Sequence, residues 1–157
     1  EGTIQVAVTD KNIFFKFDNQ IVSSSLIDGQ FPNYNRVIPD EQNFEVTVKR
    51  DELIEAVKRV SLLVENKSRR IFLNLTNGMI KLDSEESEIG VATEEIECAY
   101  EGEDVMIALN YSYLTDPLRV IDNKNIKIMF SEANKAITLQ STEESDYFHI
   151  VMPMQLD

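Results

Sequence analysis

Phe44-Glu45-Val46-Thr47-Val48-Lys49-Arg50-Asp51-Glu52-Leu53-Ile54-Glu55-Ala56-Val57-Lys58-Arg59-Val60-Ser61-Leu62-Leu63-Val64 changes period partway along. Residues 44–48 alternate apolar and polar, the pattern of a strand with one buried face. From Asp51 the apolar residues Leu53, Val57, Val60 and Val64 recur at three- and four-residue spacing, which places them on one face of a helix. Three further strand patterns come next, at 71–75, 79–82 and 89–93. Between the first two lies Thr76-Asn77-Gly78, and Asn-Gly between apolar runs favours a tight hairpin because both residues tolerate positive φ.

Roughly sixty residues later the order returns. Residues 105–109 read as a strand, Asn110 is a candidate N-cap, and Tyr113, Leu114, Leu118 and Ile121 form a second helical stripe. Pro117 lies inside that helix, where it is expected to kink it or shift its ladder. Strand patterns at 126–130, 136–139 and 148–152 complete the second pass. Two strand-helix-three-strand units within 44–152 predict an α+β domain of pseudo-twofold symmetry, its two helices packed against antiparallel sheet.

Upstream, residues 4–8, 13–17 and 21–26 read as three strands joined by Asn- and Asp-rich turns. Three strands without a helix make a poor domain by themselves. The segment 28–39 carries Pro32 and Pro39, which restrict the residues before them and favour an extended connector. A boundary near 40–43 divides the chain into 1–40 and 41–157. Because it opens on Glu1 and runs directly into a strand pattern, the chain is expected to be a piece of a longer one.

The 157 residues are 43% hydrophobic and 27% charged, enough apolar material for a packed core. No apolar run approaches the ~18 residues of a membrane span, and no basic, apolar leader opens the chain, so a soluble intracellular protein is expected. Cys98 has no second cysteine to pair with, and His149 alone cannot complete a Cys/His zinc set, so no cofactor is expected. The net charge of −13 opposes ordinary tight binding to nucleic acid. Charge is also segregated: residues 83–104 hold ten acids and no Lys or Arg, while 49–70 hold seven of the fifteen basic residues.

Catalytic readings find little support. The five glycines form no phosphate-binding turn, and His149 sits within a strand pattern beside Phe148 and Ile150, as a structural histidine would. Glu85-Glu86 and Glu94-Glu95 are neighbours in strand-like segments, so each pair points to opposite faces. Cys98 has no basic neighbour to activate it and reads as a quiet, half-buried thiol.

Two segments ask for more. One is Phe31-Pro32-Asn33-Tyr34-Asn35-Arg36-Val37-Ile38-Pro39, which sets aromatics and an arginine on the connector. The other is Phe148-His149-Ile150-Val151-Met152-Pro153-Met154-Gln155-Leu156-Asp157, which stays apolar almost to its last residue, although chain ends usually turn polar and fray. Flexible methionines suit a groove that accepts varied apolar side chains, and equally suit a tail that fills its own core.

At these segments the sequence resembles the bacterial sliding clamp family, the beta subunit of DNA polymerase III. That family carries a Phe-Pro-x-Tyr-x-Arg-Val-hydrophobic-Pro element between its second and third domains, matched by residues 31–39, and ends in Met-Pro-Met-x-Leu, matched by 152–156. The resemblance implies the DNA-clamp fold. Residues 1–40 would be the last strands of the middle domain and its connector, and 41–157 the third domain.

It also implies a non-catalytic processivity factor of replication, a homodimeric ring around duplex DNA that tethers polymerase subunits, clamp loader and repair proteins through short linear motifs. Carried over by position, the peptide pocket comprises Pro32, Arg36, Val37, Asn110, Tyr113, Val151, Met152, Pro153 and Met154. Leu62 and Leu63 would lie at the subunit interface, and Lys58, Arg59 and Arg119 would face DNA weakly and without reading sequence. A bacterial cytoplasmic protein with no membrane partner is implied, and the fragment itself would be monomeric. Gln155 replaces a frequent basic residue, and Asp157 extends past the usual end. The residues also leave open a stand-alone acidic, β-rich interaction module without a DNA role, and a carboxylate-dependent hydrolase.

Overall fold

Two compact units make up the chain, divided between Tyr34 and Asn35. The computed structural model describes residues 2–143 and 145–156, so the expectations that concern Glu1 and Asp157 lie outside the described residues. The division precedes residues 40–43 because the connector beyond Tyr34 belongs with the larger unit. There Gln42 Nε2 donates to the carbonyls of Met129 (2.7 Å) and Ala136 (3.4 Å).

The first unit is an antiparallel meander of β1 (Gln5–Val8), β2 (Asn12–Phe17) and β3 (Gln20–Ser25). Asn12 N–H donates to Thr9 Oγ1 (3.1 Å) to shape the first turn, and Asp18 adopts a positive φ of 49° to make the second. Pairing sets Val6 opposite Phe15, and Phe15 opposite Val22, on one face. The segment 28–39 is not extended throughout. Tyr34–Arg36 forms a 3-10 turn opened by the Tyr34 N–H donating to the Pro32 carbonyl (2.9 Å), which is permitted because the prolines restrict only Phe31 and Ile38 before them.

The second unit has the doubled order read from the sequence: β4 (Phe44–Lys49), α1 (Arg50–Val60), β5 (Arg70–Thr76), β6 (Met79–Ser84) and β7 (Thr93–Ala99), then β8 (Val105–Asn110), α2 (Tyr111–Val120), β9 (Asn125–Phe130), β10 (Ile137–Ser141) and β11 (Phe148–Val151). Its eight strands lie in the order β11-β10-β9-β4-β7-β6-β5-β8. Exchanging the two passes maps the β5–β6–β7 meander onto β9–β10–β11 and the β4–β7 pair onto β8–β11. Among the described residues the latter is reduced to a single bridge just past β11, where Met154 N–H donates to the Ala108 carbonyl (2.8 Å).

Alternating burial along β5 (Ile71, Leu73 and Leu75) and β6 (Ile80 and Leu82) builds the core with Ile107 and Leu109 of β8 and Ile126, Ile128 and Phe130 of β9. Fully burying each such side chain stabilises the fold by about 1.5–3 kcal/mol. α1 buries Leu53, Ala56, Val57 and Val60 against β6 and β7 and packs on α2, which covers β8 and β11.

Three sequence expectations for this unit are corrected. The third strand of the first pass runs over Thr93–Ala99, not 89–93: Ser87 and Gly90 exchange hydrogen bonds in a tight turn with Gly90 at φ 122°, leaving Ile89 74% exposed. Glu85 and Glu86 therefore lie in a loop after β6 rather than in a strand. Tyr113 leaves the core stripe of α2 and is 58% exposed. One residue further on, Leu114 and Leu118 own the buried face together with Thr115 and Pro117. Pro117 lies within α2, which continues to Val120, and the Ile121 N–H donates to the Pro117 carbonyl (3.0 Å).

Candidate functional site

Arg36 and Val37 lie at the end of the 3-10 turn, and residues 38–41 run from them along the β9–β10 turn, held there by Gln42. Together with Met152 they line a cleft of about 680 Å³ whose other wall is Ser131, Asn134, Lys135 and Ala136. Met152 reaches it because β10 and β11 pair with Ile137 opposite Val151, so the residue after Val151 emerges beside the start of β10. Val151 is itself buried, while Met152 is 59% exposed, so one residue anchors the strand and the next presents a flexible apolar side chain. Arg36 and Lys135 share the lining with Asp40 and Glu41, so both signs of charge stand beside Val37, Ile38, Pro39 and Ala136.

The other expected residues gather at β8 and α2. Asn110 ends β8 and caps α2, its Oδ1 accepting from Ser112 N–H (2.9 Å). Tyr113 projects from the first turn of that helix. Met154 bridges to Ala108, two residues before Asn110, so the tail carries Met152 at the cleft and Met154 along β8, with half-buried Pro153 between. Pro32 belongs to the first unit and is exposed there. Thus Arg36, Val37 and Met152 converge on one cleft, and Asn110, Tyr113 and Met154 sit around one end of β8. Ile38, Pro39 and the β9–β10 turn residues join the cleft without having been expected. The first two lie in the quoted connector motif, whereas nothing local in 131–136 signals their place.

The candidate interface residues lie in the 3-10 turn after α1, where Leu62 is 77% exposed and Leu63 half-buried. The three candidate DNA-facing cations are all exposed on helices and all accompanied by acids. Lys58 is 3.6 Å from Glu55, Arg119 is 3.7 Å from Asp116, and Arg59 forks onto Glu94 of β7 through Nε (2.7 Å) and Nη2 (2.9 Å). The hydrogen bond between them raises the Arg59 pKa above its ordinary value and lowers that of Glu94. Cys98 is half-buried, and burial pushes its thiol pKa up. Among the described residues, no group of three or more His, Cys, Asp or Glu side chains is placed to hold a metal ion, and no helix is long and apolar enough to cross a membrane.

Comparison with known proteins gives a consistent result. Residues 35–155 match the family model of the DNA polymerase III beta subunit, C-terminal domain. The beta sliding clamp of Treponema pallidum is 50% identical over 161 aligned positions, covering 100% of this chain and 43% of that protein. That of Pseudomonas aeruginosa is 36% identical, covering 99% of this chain and 42% of its own length. A crystal structure of a Pseudomonas aeruginosa sliding clamp bound to griselimycin superposes with a TM-score of 0.85 at 32% identity, covering 99% of this chain and 42% of that one. The chain therefore spans less than half the length of the relatives it matches.

Proposed function

Because the chain belongs to the DNA polymerase III beta-subunit family, we propose that it contributes the C-terminal part of a bacterial sliding clamp, a cytoplasmic, non-catalytic processivity factor that encircles duplex DNA and tethers polymerase and other partners by their short linear motifs. In this reading the first unit supplies the last strands of the clamp's middle domain, and the second unit is its third domain. The observation that carries the reading is the cleft itself, in which the Arg36–Val37 connector and the exposed Met152 line one concavity with Ile38, Pro39 and Ala136, beside charges of both signs. In such a concavity the apolar side chains supply affinity for a short peptide and the polar groups fix its orientation. Asn110, Tyr113 and Met154 would extend the site along β8 for the remainder of the motif.

The ion-paired cations suit a ring that slides, because charges already accompanied by carboxylates contribute little to phosphate binding. In the full-length protein the exposed Leu62 and its neighbour Leu63 would seat against a second subunit to close the dimer.

The test titrates a fluorescent Gln-Leu-x-Leu-Phe peptide against the wild-type chain and Met152→Ala. Binding in the wild type, weakened about tenfold by the substitution, is the expected result, since truncating one central apolar anchor costs about 1–2 kcal/mol. Absence of binding at near-millimolar peptide, or equal binding by both proteins, would show the pocket to be misassigned.

A further inference from the structure

The tail that carries Met152 and Met154 leaves regular pairing at Val151, and Pro153 has no N–H with which to continue the ladder. Terminal segments so placed ordinarily fray. A side chain from another strand meets this one. Arg70 opens β5 directly opposite Asn110 of β8, and β8 in turn lies between β5 and the tail. From that position Arg70 Nη1 donates to the Gln155 carbonyl (3.3 Å) across the width of β8.

The guanidinium is firmly held from behind. Nε donates to Glu85 Oε2 (3.3 Å), Nη2 makes a close ion pair with Glu85 Oε1, and the group lies 5.6 Å from the centroid of the Phe72 ring, two residues along the same face of β5. Glu85 comes directly after β6, next to Ser84, which pairs with Ile71. The side chain of Arg70 is only 17% exposed. An arginine fork preset by a carboxylate and an aromatic face loses little freedom on donating one further bond.

We propose that Arg70, oriented by Glu85, is the positioning residue of the C-terminal tail: by holding the Gln155 carbonyl it keeps Met154 in register on Ala108 and so presents Met152 and Met154 to a partner peptide. This rests on the proposed peptide pocket for its consequence, but not for the tethering itself. A binding-competent tail that is only fractionally populated lowers apparent affinity by that fraction, so the tether acts on binding without touching the peptide.

Hydrogen exchange at the Met154 amide in the full 157-residue chain isolates the tether, with Arg70→Met, Glu85→Gln and Arg70→Lys compared to wild type. Exchange at Met154 should rise about tenfold in the first two, equivalent to about 1.4 kcal/mol, and partly recover in Arg70→Lys, while the Leu73 and Leu82 amides of β5 and β6 keep their protection. The Gln-Leu-x-Leu-Phe peptide should then bind Arg70→Met several-fold more weakly. Unchanged Met154 exchange, or protection lost equally across β5 and β6, would overturn the assignment. So would undiminished peptide affinity alongside a loosened tail. If wild type itself binds no peptide, the pocket reading fails, and Met154 exchange alone decides whether Arg70 is the tether.

Discussion

Single residues already divide those that the sequence labels correctly from those whose role depends on surroundings. Cys98 is a quiet thiol by both routes: it has no basic neighbour in sequence, and burial raises its pKa. Tyr100 is buried beside it in the core, donates Oη–H to the Glu103 carbonyl (2.7 Å), and is likewise pushed up by burial and then by the charges of Asp104 and Glu103. Both groups hold their protons longer when folded than when unfolded, so the folded state binds more protons above the ordinary thiol and phenol values of about 8.5 and 10, and stability falls as pH rises through that range. Thermal melts taken from about pH 8 to about pH 10.5 should show a falling midpoint, and Tyr100→Phe should flatten the fall while lowering the midpoint at the neutral end. A midpoint level across that range would contradict it. Arg59 shows the other case. Sequence alone offers it as a free helix cation, and only the fold brings Glu94, thirty-five positions away, onto its fork.

Elements were legible wherever a local pattern decides the backbone. The Asn77-Gly78 turn, the 3.6-residue stripe of α1 and the Asn110 cap all appear as read, because each depends on side chains within a few residues. Asn110 thus has a structural task as well as its proposed place in the pocket. Asn110→Ala should lower stability by about 1 kcal/mol in urea melts, whereas Asn110→Asp, which keeps the acceptor, should cost far less. Equal losses from both would mean that the cap bond to Ser112 N–H carries none of the effect. Where competing patterns lie side by side, local sequence does not choose between them. Ile89 and Val91 look like strand residues, yet Gly90 at φ 122° turns the chain, and pairing with β6 begins only at Thr93. Tyr113 and Leu114 are both apolar enough for the α2 core, and the helix register buries Leu114.

For the molecule as a whole, the proposed ring depends on Leu62, an apolar side chain that this chain leaves in water. In full-length protein, Leu62→Ala with Leu63→Ala should shift sedimentation from dimer toward monomer, while the 157-residue chain should sediment as a monomer at micromolar concentration. A double variant that stays dimeric would remove these leucines from the interface. By itself the sequence determined the doubled strand-helix-three-strand unit, the three preceding strands and the two motifs that carry the family likeness. All of these come from periodicity, turn chemistry and residue identity over short stretches. Tertiary structure alone decided that residues 36–41 meet Met152 and the 131–136 turn in one cleft, that Met154 bridges to Ala108, and that Arg70 reaches Gln155 from eighty-five positions away. Such meetings are set by strand register and by which distant elements share a core, and a one-residue slip would turn every side chain of a strand to its opposite face, so no local pattern contains them.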